Sequence, residues 1–474
     1  MILLICVILK EERMIMLKDN IWKKYDAVEV SKVFEMGEDY KKFLSISKTE
    51  RECNKEIIRR AEEKGFHNIV DYIENGKALK PGDKIYADNR GKAVALFIIG
   101  KDSITKGMNI LGAHIDSPRL DLKANPLYED TDFAYLDTHY YGGIKKYQWT
   151  TIPLALHGVI VKKDGTKIDV NIGEAEDDPV FCITDLLPHL AGEQMKKNAS
   201  NLIEGEALDV LVGNMPLKGE DKESVKSNVL SILKEKYDIG EDDFLSSEIE
   251  VVPVGCARDM GLDKSMVLAY GQDDRSCAYS SLIAFLDAEA TDKTLSCILV
   301  DKEEIGSVGA TGMRSMFYEN TIAEICHLLG EDSLVALRRA FSNSKMLSSD
   351  VNAAYDPLYA SVMDKRNSSY LARGLVFCKY TGARGKSSSN DADAEFIAEL
   401  RNVLDSENVS YQLSELGKVD AGGGGTIAYI LANYDVKVID GGVAVLNMHA
   451  PYEVTSKVDI YEAYRGYLAF LMKA

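Results

Sequence analysis

The chain has 474 residues, 46% of them apolar and 28% charged, and a formal net charge of −19. That length exceeds one ordinary core, so two domains are the natural expectation. The acidic balance disfavours nucleic acid and anionic membranes as partners, because both would be repelled.

The opening MILLICVIL is apolar but too short to span a bilayer, and it lacks the basic leader and cleavage site of a secretory signal. Met14 or Met16 offers an alternative start. Eight scattered cysteines form no CxxC pair, and several lie in apolar runs such as FCIT and LSCILV. That usage suits buried free thiols in a reducing compartment, so the chain reads as cytoplasmic and soluble.

To about Asn75 the pattern is helical, with apolar positions at helix spacing among the charges of YKKFLSISKTERECNKEIIRRAEEKGF. KAVALFIIG and MNILGAHID then read as buried strands, and strands alternating with helices indicate a layered α/β domain. The texture changes in the middle. TIPLALHGVIVKKDGTKIDVNIG predicts a hairpin around a Lys-Asp-Gly turn. DPVFCITDLLPHLAGEQMKKN and KESVKSNVLSILKEKYD predict helices, and SSEIEVVPV a closing strand. Residues 123–252 are therefore expected to form an inserted, mainly-β domain. The flanking segments 1–122 and 253–474 are expected to fold together as one α/β domain.

Two adjacent glutamates, Glu303 and Glu304, follow the apolar run LSCILV. Neighbouring carboxylates repel, and a cation resolves the conflict if one glutamate ligates it while the other accepts a proton from its water. Taken alone, the pair fits a solvated acidic turn better. Other polar residues share its position at the end of an apolar strand: His114, Asp273 with Asp274, Asp350 and His449. Asp116, two residues after His114, would share its face in an extended segment and orient its ring. Two histidines and three carboxylates beyond a base make the ligand count of a two-metal hydrolase, outside the carboxyl ends of sheet strands.

GAHIDSPRLDLK, GQDDRSC, DKEEIGS, SSDVNAAYDP and MHAPYEV, in this order, resemble the aspartyl aminopeptidase/aminopeptidase I family of dinuclear metallopeptidases. The resemblance spans essentially the whole chain. It implies a three-layer α/β/α metallopeptidase domain with a mixed sheet, interrupted by a dimerisation domain. It further implies peptide substrates trimmed one amino-terminal residue at a time, and twelve subunits, built from dimers, in a tetrahedral shell. Carried over, His114 and Asp350 would bind one metal, Glu304 and His449 the other, and Asp273 would bridge them through a residue followed by a cis peptide. Glu303 would be the general base and acid.

Zinc is the metal implied, although mixed His/carboxylate ligands also admit cobalt or manganese. The resemblance assigns His189 to the active site of a neighbouring subunit, as a donor to the developing oxyanion. It also assigns Lys379, Gly425 and Thr426 to the substrate pocket. Arg119 and Arg275 are expected to make ion pairs beside the ligands, and His67, His139, His157 and His327 to be structural. Two rival readings are a deacylase or carboxypeptidase on a related fold and a non-catalytic shell protein.

Overall fold

The computed structural model describes residues 19–387 and 389–474. The apolar opening, Cys6 and the alternative starts at Met14 and Met16 lie outside the described residues. The chain divides into two compact units. One holds the described residues up to Asp116, Ala257–Met448 and Glu453–Ala474; the other holds Ser117–Cys256 and His449–Tyr452.

The first unit is built on a nine-stranded mixed sheet. At its centre the strand Met108–His114 runs parallel to Thr294–Val300 on one side and to Lys345–Ser348 on the other. Lys437–Gly442 continues the parallel set, and Leu375–Cys378 joins it antiparallel. The central strands are buried on both faces, which explains their uninterrupted apolar sequence. Alternation then sorts their side chains. Leu111, Ala113, Cys297, Leu299, Leu347 and Ile439 enter one core with Tyr40, Phe43, Phe285 and Tyr467. Ile110, Ile298, Val300, Met346 and Val438 enter a second core with Tyr318, Ile322 and Phe341. Helices cover both faces, so the unit is a three-layer α/β/α structure. The helices Ala27–Ile46 and Glu50–Glu63 both begin with capping boxes, at Asp26/Glu29 and Thr49/Glu52.

The second unit is mainly β, with a six-stranded sheet. The expected hairpin is present: Leu154–Val161 pairs with Lys167–Ile172, and Gly165 in the turn has φ +88°. A long antiparallel pair, Arg119–Asp130 with Phe133–Tyr141, has no counterpart in the sequence reading. KESVKSNVLSILKEKYD does form a helix, Ser224–Tyr237. The helix expected in DPVFCITDLLPHLAGEQMKKN does not form. Phe181 and Cys182 make isolated bridges, and only the 3-10 turn Gln194–Lys196 follows. Pro179 and Pro188 remove donors and Gly192 adds backbone freedom, so apolar spacing alone does not hold a helix here. Among the described residues no helix is long and apolar enough to cross a membrane.

Candidate metal centre

His114 is the last residue of the strand Met108–His114 and is 2% exposed. Its Nδ1 lies 3.0 Å from the Asp116 carbonyl and 3.2 Å from Asp116 Oδ1, which leaves Nε2 as the nitrogen aimed outward. Asp116, fully buried, does more than orient that ring. Its Oδ1 accepts from the Glu303 N–H at 3.1 Å and its Oδ2 from the Glu304 N–H at 3.3 Å. One carboxylate therefore ties the histidine to the glutamate turn. That turn forms because Lys302, after the strand Thr294–Val300, takes φ +70° and opens the 3-10 turn Glu303–Ile305, which Gly306 closes at φ +93°.

Asp273 enters from the start of the helix Gln272–Leu286, where Asp273 and Asp274 have non-helical dihedrals and the peptide bond between them is cis. Gln272 anchors this start. Its Nε2 donates to the Glu453 carbonyl at 2.6 Å, and its Oε1 accepts from Tyr40 and Thr455 hydroxyls. The Asp273 N–H donates to Glu453 Oε2 at 2.9 Å. Asp273 Oδ1 then stands 3.2 Å from His114 Nε2, and Glu303 Oε2 stands 4.0 Å from the same nitrogen. Asp274 Oδ2 accepts weakly from the His114 N–H at 3.4 Å. Asp350 follows the strand Lys345–Ser348.

Within the first unit, therefore, His114, Asp273, Asp350, Glu303 and Glu304 come together. Ligand atoms of His114, Asp273 and Asp350 lie within 4.8 Å of one another, as do those of His114, Glu303 and Glu304. The electrostatics are costly. Burial, then the carboxylates of Asp274 and Glu303, drive the Asp350 carboxyl well above its ordinary value. Burial and Asp273 do the same to Asp274. Burial opposes protonation of His114, yet Asp116 and Asp273 raise it well above the usual imidazole range. Crowded, desolvated carboxylates around a histidine are what a divalent cation relieves. The donor set, nitrogen and oxygen without thiolate, fits zinc or a similar metal.

His449 belongs to the second unit, with φ +64° and its Nδ1 2.8 Å from the Gly143 carbonyl. Both histidines thus have Nδ1 held by a backbone carbonyl, a contact that fixes the ring's tautomer and orientation. His189 is exposed on the irregular 183–193 segment of the same unit.

The residues expected in the substrate pocket are less ordered by contacts. Lys379 is exposed, its Nζ 3.9 Å from Asp391. Gly425 has open space around it, and Thr426 Oγ1 accepts from the Ala428 N–H at 3.2 Å. The run Gly422–Gly425 is more than a turn, since Gly423–Gly424 pairs with Gly382–Ala383. Arg119 makes the expected ion pairs, with Asp121 and Glu250. Arg275 does not: it donates to the carbonyls of Ile115 and Lys48. These buried backbone carbonyls satisfy part of its guanidinium in place of a carboxylate.

This geometry can be set beside known proteins. The model of the aminopeptidase I zinc metalloprotease (M18) family matches residues 43–471. The chain belongs to the M18 family. It is 61% identical over 453 residues to a probable M18 family aminopeptidase 1 of Clostridium acetobutylicum, across 95% of this chain and 97% of that one. The crystal structure of an M18 aminopeptidase from Thermotoga maritima superposes with a TM-score of 0.92 at 47% identity, covering 97% of this chain and 100% of the other. Aminopeptidase I from Clostridium acetobutylicum gives a TM-score of 0.90 at 59% identity, over 96% and 99%. M18 membership makes the chain a hydrolase of the zinc aminopeptidase class, and the large mixed sheet is the M18 fold.

Proposed function

We propose that this M18 chain is a dinuclear aminopeptidase that removes single amino-terminal residues from peptides, with Glu303 as general base. The observation that carries this reading is the gathering of His114, Asp350, Glu303 and Glu304, at the carboxyl ends of the central strands, with Asp273 from the start of the helix Gln272–Leu286, in a chain of a zinc aminopeptidase family.

His114 and Asp350 would hold one ion, Glu304 and His449 the other, with Asp273 a ligand to both. The ions would supply Lewis acidity toward the scissile carbonyl and the attacking water. Glu303 accepts the proton of that water and passes it to the leaving amine. Asp116 holds both His114 and the Glu303–Glu304 backbone, so the base and a ligand keep fixed relative positions. Lys379, Gly425 and Thr426 line the substrate pocket. His189, from a second copy, donates to the developing oxyanion. The active form is a cytoplasmic homo-oligomer, a dodecamer built from dimers through residues 123–252.

The test is hydrolysis of aminoacyl nitroanilides and short peptides by zinc-loaded protein, before and after Glu303→Ala. Cleavage confined to acylated amino acids would favour the deacylase reading instead. Unchanged turnover in the variant would remove Glu303 from the mechanism.

A further inference from the structure

The motif SSDVNAAYDP contributes Asp350 to the carboxylate cluster, and the chemistry uses none of its other residues. Its backbone is nevertheless gripped on both sides of Asp350. The Ser349 N–H donates to the Gly112 carbonyl at 2.5 Å, on the strand that ends in His114. The Asn352 N–H donates to the Val443 carbonyl at 2.9 Å. Between these two bonds Asp350 lies flat against Gly442. A Cβ on Gly442 would stand 1.8 Å from the Asp350 carbonyl oxygen, 2.5 Å from its carbonyl carbon and 3.0 Å from its nitrogen. All three are backbone atoms, so no side-chain rotation makes room.

Asn352 completes the grip. It is buried, its Nδ2 donates to Cys378 Sγ at 2.9 Å, and its Oδ1 accepts from Ser369 at 2.6 Å and Ser414 at 3.1 Å. An amide serves donor and acceptor neighbours at once. A carboxylate would face Cys378 without a donor, and alanine would leave the two hydroxyls without this acceptor.

We propose that Gly442 and Asn352 form a clamp that sets Asp350 as a metal ligand, which makes both of them positioning residues for one of the two metal sites. This rests on the reading of Asp350 as a ligand. The clamp acts on the set His114, Asp273 and Asp350 and leaves Glu304 untouched, so its loss is selective.

The experiment measures bound zinc per chain, zinc affinity and the melting of chelator-treated protein for four variants. Asp350→Ala and Gly442→Ala should each fall from two ions to one. Asn352→Ala should keep two, one of them bound roughly 10- to 100-fold more weakly. Gly441→Ala is the control, because its added Cβ meets only ring atoms of Phe377, the nearest at 2.7 Å, and it should keep both ions. Should Gly442→Ala fail to fold, Asn352→Ala, which adds no volume, decides alone. Two tightly bound ions in the clamp variants, with one lost in Asp350→Ala, would overturn the clamp. So would lowered melting of Asn352→Ala at unchanged zinc affinity, or loss of an ion in Gly441→Ala. Two ions retained in Asp350→Ala would overturn the ligand reading itself.

Discussion

The strand-end cluster of the first unit and the 183–196 segment of the second break the burial rule in opposite directions. In the cluster, His114, Asp116, Asp273 and Asp274 are at most 3% exposed, although charged groups lose most by leaving water. In the segment, Leu186, Leu187, Leu190 and Met195 stand 49–70% exposed, although nothing polar is gained by it. Isolated exposed apolar side chains need no explanation, but three leucines and a methionine on one irregular stretch are a concentration that does. Under the proposed function each anomaly would be resolved by something a single chain does not contain: cations in the first case, another copy of the chain in the second. Departures from the patterning rules concentrate where function is expected.

The largest effect is expected for Glu303→Ala in the strand-end cluster, the first half of that comparison. Removal of a general acid–base group should lower kcat by about 10²–10⁴-fold while zinc content stays unchanged, as read by nitroanilide turnover and metal analysis. The second half is tested by His189→Ala, which should lower kcat by about 10²–10³-fold if the histidine donates to the oxyanion. Mixing dissociated and reassembled His189→Ala and Glu303→Ala chains should then recover part of the activity, because a mixed pair contains one intact composite site. No recovery would mean that His189 serves its own chain or none. Leu187→Asp with Leu190→Asp should shift the assembly toward smaller species in sedimentation without lowering the zinc content of the chain.

A smaller effect is expected at Asp116. Asp116→Asn keeps the shape but replaces one acceptor oxygen with a donor facing a backbone N–H. Zinc affinity should weaken roughly 10- to 100-fold, the usual consequence of disturbing the partner of a metal-binding histidine. Titration with a fluorescent zinc chelator reads this directly.

The two regions also differ in how far they were legible. His114, Asp273, Glu303, Glu304 and Asp350 each end or follow an apolar strand, and that shared position is visible in the chain as written. His114, Glu303, Glu304 and Asp350 gather because parallel strands bring their carboxyl ends to one edge, whereas Asp273 follows the strand Met266–Ala269 of a separate, five-stranded sheet. The 178–198 stretch misled, because leucine spacing imitates an amphipathic helix while Pro179 and Pro188 forbid the ladder. The pair Arg119–Asp130 and Phe133–Tyr141 was hidden for another reason. Its residues, DLKANPLYED and FAYLDTHYY, mix charge with aromatics, and its pairing shifts register between Leu122 and Leu127. Asn352 and Gly442 gave no signal, since neither carries chemistry until the backbone around Asp350 is known.

Asp440 separates burial from metal binding most cleanly. It sits in the strand Lys437–Gly442 of the first unit, 3% exposed, and lies outside the ligand groups around His114. Burial pushes its carboxyl up to about 7, while the hydroxyls of Thr426 and Ser348 oppose the shift. The sign follows from linkage. A carboxyl whose folded pKa exceeds its ordinary 3.8 favours folding while protonated, and that contribution is lost as the pH rises through about 7. Chelator-treated protein should therefore melt lower at pH 8 than at pH 5, and Asp440→Asn should flatten that part of the slope. Zinc should stabilise both proteins equally, because the cations relieve the cluster around His114 and not this carboxyl. A zinc effect that Asp440→Asn diminishes would mean that the two buried acidic regions are one electrostatic unit, and the division drawn between them would fail.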